Sequence, residues 1–480
     1  MLRVLLIKVL SGVVLVSGLL SVPVGAQNIP ILGGVSDRLW GKKEELDIGR
    51  EIYEKLEQQG NIHDDLADQD YLNYLGHKIG HYTNTRLGLR FYITKAKSIN
   101  AFASPAGYVA INAGLILATD NEHELAGVLA HEIAHVSQEH IARTVLAAQD
   151  RRVGNAAAMI AAVLMATAGD STDAGAGMVS AIVAGETQQQ INDIRRHEKE
   201  ADRIGRQLMK KAGFNELGMQ SFFGKLYSSE RAQNTPAYLL THPLPLERQA
   251  DIDSVGRQKA NKYLPSSDEY FLFKARIGAG LLSRQDINRL TVQDKQSGQS
   301  QIRDAAHYLS ALQHMRYGRF SQALGELSQM LSSMKRKRDV LLLQAKLHLL
   351  NKQTALAEKD YRSLWQRYRG DSIVAYDYAR YLLSKNRLNQ AVKLFENELD
   401  SVLLSDQQAH LYGQILGRLG RFVEQDKMLI RLYEQKGDDE KALTQAQIAL
   451  SRPGLDWQSR SVFESKVKSL KSRIERAEND

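Results

Sequence analysis

The sequence predicts a mainly α-helical protein in two parts: an α+β domain with a small sheet, then an all-α superhelical array of paired helices. Three observations carry this. An apolar run, Leu125 to Leu129, leads into His131-Glu132-Ile133-Ala134-His135, which predicts a helix bearing two histidines one turn apart. Tyr108-Val109-Ala110-Ile111-Asn112 alternates weakly and is rich in strand formers, which predicts a strand beside that helix with an edge able to pair with an extended chain. After residue 300, small residues recur every 34 positions, the period of a helix-turn-helix repeat.

The N-terminus predicts export. Arg3 and Lys8 form a basic start, Val9 to Leu20 is a short apolar core, and Val24-Gly25-Ala26 is a small-residue cleavage site. Residues 1–26 read as a signal peptide, with Gln27 as the new N-terminus. The apolar stretch is short for a membrane span. The chain has no cysteine, which excludes thiol catalysis, cysteine ligands, disulfides and lipid attachment at the cleavage site.

The histidine helix starts with Thr119 and Glu122 at capping-box spacing, with Asp120 or Asn121 as alternative caps. Glu122 and Glu124 suit the positive end of the helix dipole. His131 and His135 at this spacing can bind one Zn²⁺, and Glu132 is then placed as general base. Catalytic zinc needs a third protein ligand. His140 fails as one, because the spacing that would recruit a third histidine from the same motif places Ile141 and Gln138 at the key positions. The segment Arg196-His197-Glu198-Lys199-Glu200-Ala201-Asp202 opens a later helix. Glu198 and Asp202 share one face of it, so Glu198 can ligate while Asp202 holds a ligand histidine by its second nitrogen.

These stretches, together with Thr241-His242-Pro243-Leu244-Pro245-Leu246-Glu247-Arg248 and Asn100 to Val109, resemble the HtpX-type zinc metallopeptidase family over roughly residues 40 to 255. The resemblance implies a zincin-like domain with His131, His135 and Glu198 as ligands of one zinc. It also implies Glu132 as base and Asp202 as the acid that supports a ligand histidine. A glycine is common in the family where Ala106 stands here. His242 has two readings: it stabilises the oxyanion of the tetrahedral intermediate, or it occupies the open zinc position and holds the enzyme off.

Between these helices, Ala156 to Ala168 and Met178 to Ala184 are apolar, with a Gly/Asp-rich stretch between them. They predict a helix pair. Core packing is favoured for it over a lid or a lipid contact.

In the second half, Ala311, Ala345, Ala379 and Gly413 lie 34 apart. Seven positions on come Gly318, Lys352, Asn386 and Gly420, and twelve on come Ala323, Ala357, Ala391 and Gln425. The first and third sets suit close helix contacts, and the second suits a tight turn. This resembles a tetratricopeptide array, whose concave face binds protein segments. The expected division is residues 27–262 for the peptidase domain, 263–301 for a linker and 302–480 for the array.

The formal charge of +8 falls by two once Arg3 and Lys8 leave, and no Lys/Arg run is dense enough for nucleic acid. An exported peptidase of this family joined to such repeats resembles periplasmic quality-control proteases of Gram-negative bacteria. That implies stalled outer-membrane proteins as substrates and docking to the barrel-assembly machinery through the repeats. A peripheral place at the outer membrane is compatible with this. The rival readings are a general periplasmic protease whose repeats recruit substrate, and a scaffolding chaperone with a latent zinc site.

Overall fold

The computed structural model describes residues 41–85, 87–150, 188–231, 236–243, 265–396 and 404–479, with Ser36 and Leu39. The expected signal peptide and the helix pair expected within 156–184 lie outside these residues. No described helix is long and apolar enough to cross a membrane.

The first part is α+β. Helices α1 (Lys42–Gln58) and α2 (Leu66–Gly80) precede strands β1 (Arg90–Thr94), β2 (Ala101–Ser104) and β3 (Tyr108–Asn112). Then come α3 (Ala113–Ala118), α4 (Glu122–Ser137), α5 (His140–Asp150), α6 (Gln188–Lys211), α7 (Leu217–Arg231) and the short α8 (Ala237–Thr241). The sheet order is β1-β3-β2, with β1 parallel and β2 antiparallel to β3. The strand expected at Tyr108–Asn112 is therefore present but central. Both its edges are paired, so it cannot receive an added chain. Alternation cannot tell a central strand from an edge strand, because pairing is decided by partners distant in sequence.

The tight link from β2 to β3 turns on Ala106 (φ +62°) and Gly107 (φ +75°). A Cβ at Gly107 would lie 2.0 Å from the carbonyl oxygen of Gly88, so only glycine fits there. Ala106 adopts the left-handed region at a steric cost that a glycine there would avoid.

The segment expected as a linker forms two helices, α9 (Asp268–Leu281) and α10 (Arg284–Asp294). Ser267 caps α9 by accepting from the Tyr270 N–H at 3.2 Å. Two cores share α9. Tyr270, Phe271, Phe273 and Ile277 pack with the first part, while Leu272 and Ala275 pack with the repeats. A helix buried on opposite faces joins two units rigidly. Arg276 adds a buried ionic link, donating to Asp68 of α2 at 2.6 Å and to Asp339 at 2.5 Å.

The array follows as paired helices: α11 (Ser300–Arg316) with α12 (Phe320–Gln329), α13 (Arg338–Leu350) with α14 (Thr354–Arg367), and α15 (Ser372–Ser384) with α16 (Leu388–Glu396). Beyond them lie α17 (Asp406–Arg418) with α18 (Phe422–Gln435), then α19 (Asp439–Leu450) and α20 (Trp457–Asn479). The 34-residue series maps onto this geometry. Ala311, Ala345 and Ala379 are fully buried, as are Ala323, Ala357 and Ala391. Gly318, Lys352, Asn386 and Gly420 all have positive φ, between +55° and +73°. In the fourth copy the two small positions change together, and Gln425 donates to the carbonyl of Gly413 at 3.0 Å.

Candidate metal centre

Helix α4 is buried without a break from Glu124 to Ala134, as a helix through the middle of a small domain must be. Asn121 is its N-cap and accepts from the Glu124 N–H at 3.1 Å. Thr119 instead ends α3 and donates to the Ile116 carbonyl. Helix α6 crosses close to α4. A Cβ at Gly205 would meet the backbone of Ala130 at 3.2 Å, so glycine permits the approach that brings Glu198 to the histidines.

Four side chains converge. His131 Nε2 lies 3.0 Å from His135 Nε2 and 3.3 Å from Glu198 Oε2. His135 Nε2 lies 3.3 Å from Glu198 Oε1. His242 Nδ1 completes the group, 3.3 Å from His131 Nε2 and 3.0 Å from Glu198 Oε1. All four donor atoms lie within 4.8 Å of one another. Donors at ordinary zinc distances around a tetrahedral ion are about 3.3 Å apart, so these residues fit one such ion. His131, Glu198 and His242 are buried. A carboxylate so enclosed requires positive charge beside it, and a metal cation held by the four groups would supply it.

Without a metal, the histidines themselves answer the buried carboxylate. Burial pushes His131 down, but its hydrogen bonds to Asp202 and Glu198 outweigh this and raise it to about 9. Burial resists ionisation of Glu198, but the His242 charge and the His131 hydrogen bond hold its carboxyl well below the ordinary range. Burial lowers His135 to about 4 despite the Glu198 contact.

The surrounding residues orient the ligands. Asp202 Oδ1 sits 3.0 Å from His131 Nδ1, on the ring's far side from the cluster. Glu132 is fully buried next to the group. Tyr238 donates to its Oε1 at 3.2 Å, while its Oε2 has no hydrogen-bond partner. Such a group is costly in a folded protein and calls for a functional explanation. Tyr238 also stacks on the His242 ring, with centroids 4.6 Å apart and planes at 24°. The Tyr238 N–H donates to the Ile99 carbonyl, which places the His242 segment at the entrance to β2.

The structure thus brings together every residue singled out from the sequence: His131, Glu132, His135, Glu198, Asp202 and His242. Sequence reasoning set His140 aside. It is nevertheless in the site, with its Nδ1 2.9 Å from His135 Nδ1. The i, i+5 spacing across a helix break gave no signal for that contact.

Comparison with known proteins finds relatives over this region. Residues 85–255 match the model of peptidase family M48. The chain is 36% identical over 280 residues to the beta-barrel assembly-enhancing protease of Yersinia pestis, covering 56% of each chain. It is 30% identical over 311 residues to the protein of that name in Escherichia coli K12, covering 64% of this chain and 63% of the relative. It is also 27% identical to Metalloprotease YcaL of the same organism, covering 43% of this chain and 74% of YcaL. The chain spans between 54% and 63% of the length of the beta-barrel assembly-enhancing proteases it matches. The two histidines of α4 and the Glu198 that α6 brings to them all lie inside residues 85–255, the span that matches the model of peptidase family M48.

Proposed function

We propose that this chain is a zinc-dependent endopeptidase of the Gram-negative periplasm. In this reading it has a chaperone-like part in outer-membrane β-barrel assembly and removes stalled barrel proteins. One observation carries the peptidase reading: His131, His135 and Glu198 converge beside the buried, unpartnered Oε2 of Glu132. A single zinc held by those three residues would polarise a peptide carbonyl and acidify the attacking water. Asp202 fixes the His131 ring by its second nitrogen. Glu132 Oε2 receives the proton from the water and returns it to the leaving nitrogen, while the Tyr238 hydroxyl keeps the carboxylate aimed. The outer edge of β2, not β3, offers the backbone groups for an extended substrate.

Of the two readings of His242, the geometry favours the blocking one. Its Nδ1 stands at the fourth corner of the group, where a substrate carbonyl would have to come. The resting enzyme is therefore held off until the His242 segment moves. The shared name of the relatives supports barrel assembly as the setting, and the repeat array supports recruitment of substrate and docking to the assembly machinery.

The test is cleavage by the purified full-length protein. Substrates are an unfolded outer-membrane β-barrel protein and an unfolded soluble periplasmic protein. Zinc-dependent cuts in the barrel protein alone, lost in Glu132→Gln, support the proposal. Equal cutting of both substrates supports a general protease. No cutting of either, even with His242→Ala, overturns the peptidase reading and leaves a scaffold.

A further inference from the structure

We infer that His140 is a positioning residue for His135, tying this ligand histidine to the Glu200–Arg143 pair on the domain's flank. The inference rests on the reading that His135 ligates zinc through Nε2. A neutral imidazole that offers the Nε2 lone pair carries its proton on Nδ1. His135 Nδ1 therefore donates across 2.9 Å to His140 Nδ1. His140, accepting at Nδ1, carries its own proton on Nε2 and donates it to Glu200 Oε2 at 3.2 Å. Glu200 Oε2 also accepts from Arg143 at 3.0 Å. One tautomer per ring satisfies the whole chain, and it ends on an ion pair.

The fold holds His140 in this place. Its side chain is buried, and the ring of His197 stacks on it with centroids 4.4 Å apart and planes at 14°. The chain reaches it through Glu139, whose φ of +52° is a strained conformation for a residue with a side chain. That turn breaks α4 from α5 and folds His140 back over His135. The two ligand histidines thus differ in their support. His131 meets the Asp202 carboxylate directly, whereas His135 meets Glu200 only through a second imidazole. His197 and Glu200 lie on α6 beside Glu198, so the helix that supplies the acidic ligand also steadies the second histidine.

The test is competition for zinc between the full-length protein and a chromogenic chelator, with thermal melting of the chelated protein measured alongside. His140→Ala is expected to weaken zinc binding about ten- to a hundredfold, the usual effect of losing a ligand's hydrogen-bond partner, with little change in the chelated melting temperature. His140→Asn, whose amide can accept from His135 and donate towards Glu200, is expected to recover most of the affinity. Glu200→Ala, at a half-buried position, is expected to weaken zinc by a smaller factor. Should His140→Ala not fold, Glu200→Ala alone carries the test. Zinc held by the variants as tightly as by wild type overturns the inference, and so does His140→Asn behaving like His140→Ala. Wild-type protein that takes up no stoichiometric zinc overturns the ligand reading instead.

Discussion

The Nδ1 of His242 lies 3.0 Å from Glu198 Oε1, on the same side of the carboxylate as His135. A third imidazole thus stands where an active zinc site needs an open position. Replacing it frees that corner. His242→Ala is expected to raise the rate of peptide cleavage by about tenfold, as for an occupant held by about 1.4 kcal/mol. The measurement is turnover of a quenched fluorescent peptide. A fall in rate would return His242 to the oxyanion role.

Glu132→Gln changes the base and leaves the shape. The amide retains the Tyr238 hydrogen bond at Oε1, but cannot take a proton at the unpartnered atom. Cleavage is expected to drop by about 10²–10⁴-fold. Zinc content by elemental analysis and the melting temperature are expected to stay as in wild type.

Removing an acidic ligand differs from removing its support. Glu198→Ala is expected to abolish stoichiometric zinc, because a buried donor is lost from the group. Asp202→Ala is expected to leave zinc bound but about ten- to a hundredfold weaker, since only the hold on His131 Nδ1 goes. Elemental analysis and chelator competition separate the two.

Lys352 stands at φ +62° in the turn between α13 and α14, where two of the other copies have glycine. Its side chain is exposed, so substitution forfeits no packing. Lys352→Gly is expected to stabilise the array by about 1 kcal/mol by relieving the left-handed strain. An unchanged or lower urea midpoint would count against this.

Glu358 of α14 accepts from Arg387 at 2.6 Å and from the Tyr381 hydroxyl at 2.6 Å. The Arg387 hydrogen bond, with those of Tyr381 and Arg362, holds its carboxyl at about 2 against an ordinary 4.5. A depressed acid stabilises the fold above its unfolded pKa. The contribution is therefore complete above about pH 4.5 and is lost as the pH falls towards 2. Glu358→Gln is expected to be less stable than wild type at pH 7 and to converge with it on acidification. A constant gap between the two urea midpoints across that range would refute the assignment.

Much of this protein was written in its local pattern. The one-turn spacing of His131 and His135, the shared face of Glu198 and Asp202, and the 34-residue series each follow from helix periodicity, which depends only on neighbours in sequence. The turn positions of the repeats were legible for the same reason, because a left-handed residue is a local steric fact. What the sequence did not determine depends on partners far along the chain. Neighbours alone did not show that Tyr108–Asn112 would be the middle strand, or that α9 would be buried on both faces between two cores. The choice of Asn121 over Thr119 as cap turned on where α3 stops. Nothing near His242 in the sequence showed which side chains it would meet, because folding carries it over 100 residues back to His131. His140 was dismissed on spacing and returned through a strained turn at Glu139. Periodicity fixes which face a side chain is on; only the packing of one helix against another decides what that face meets.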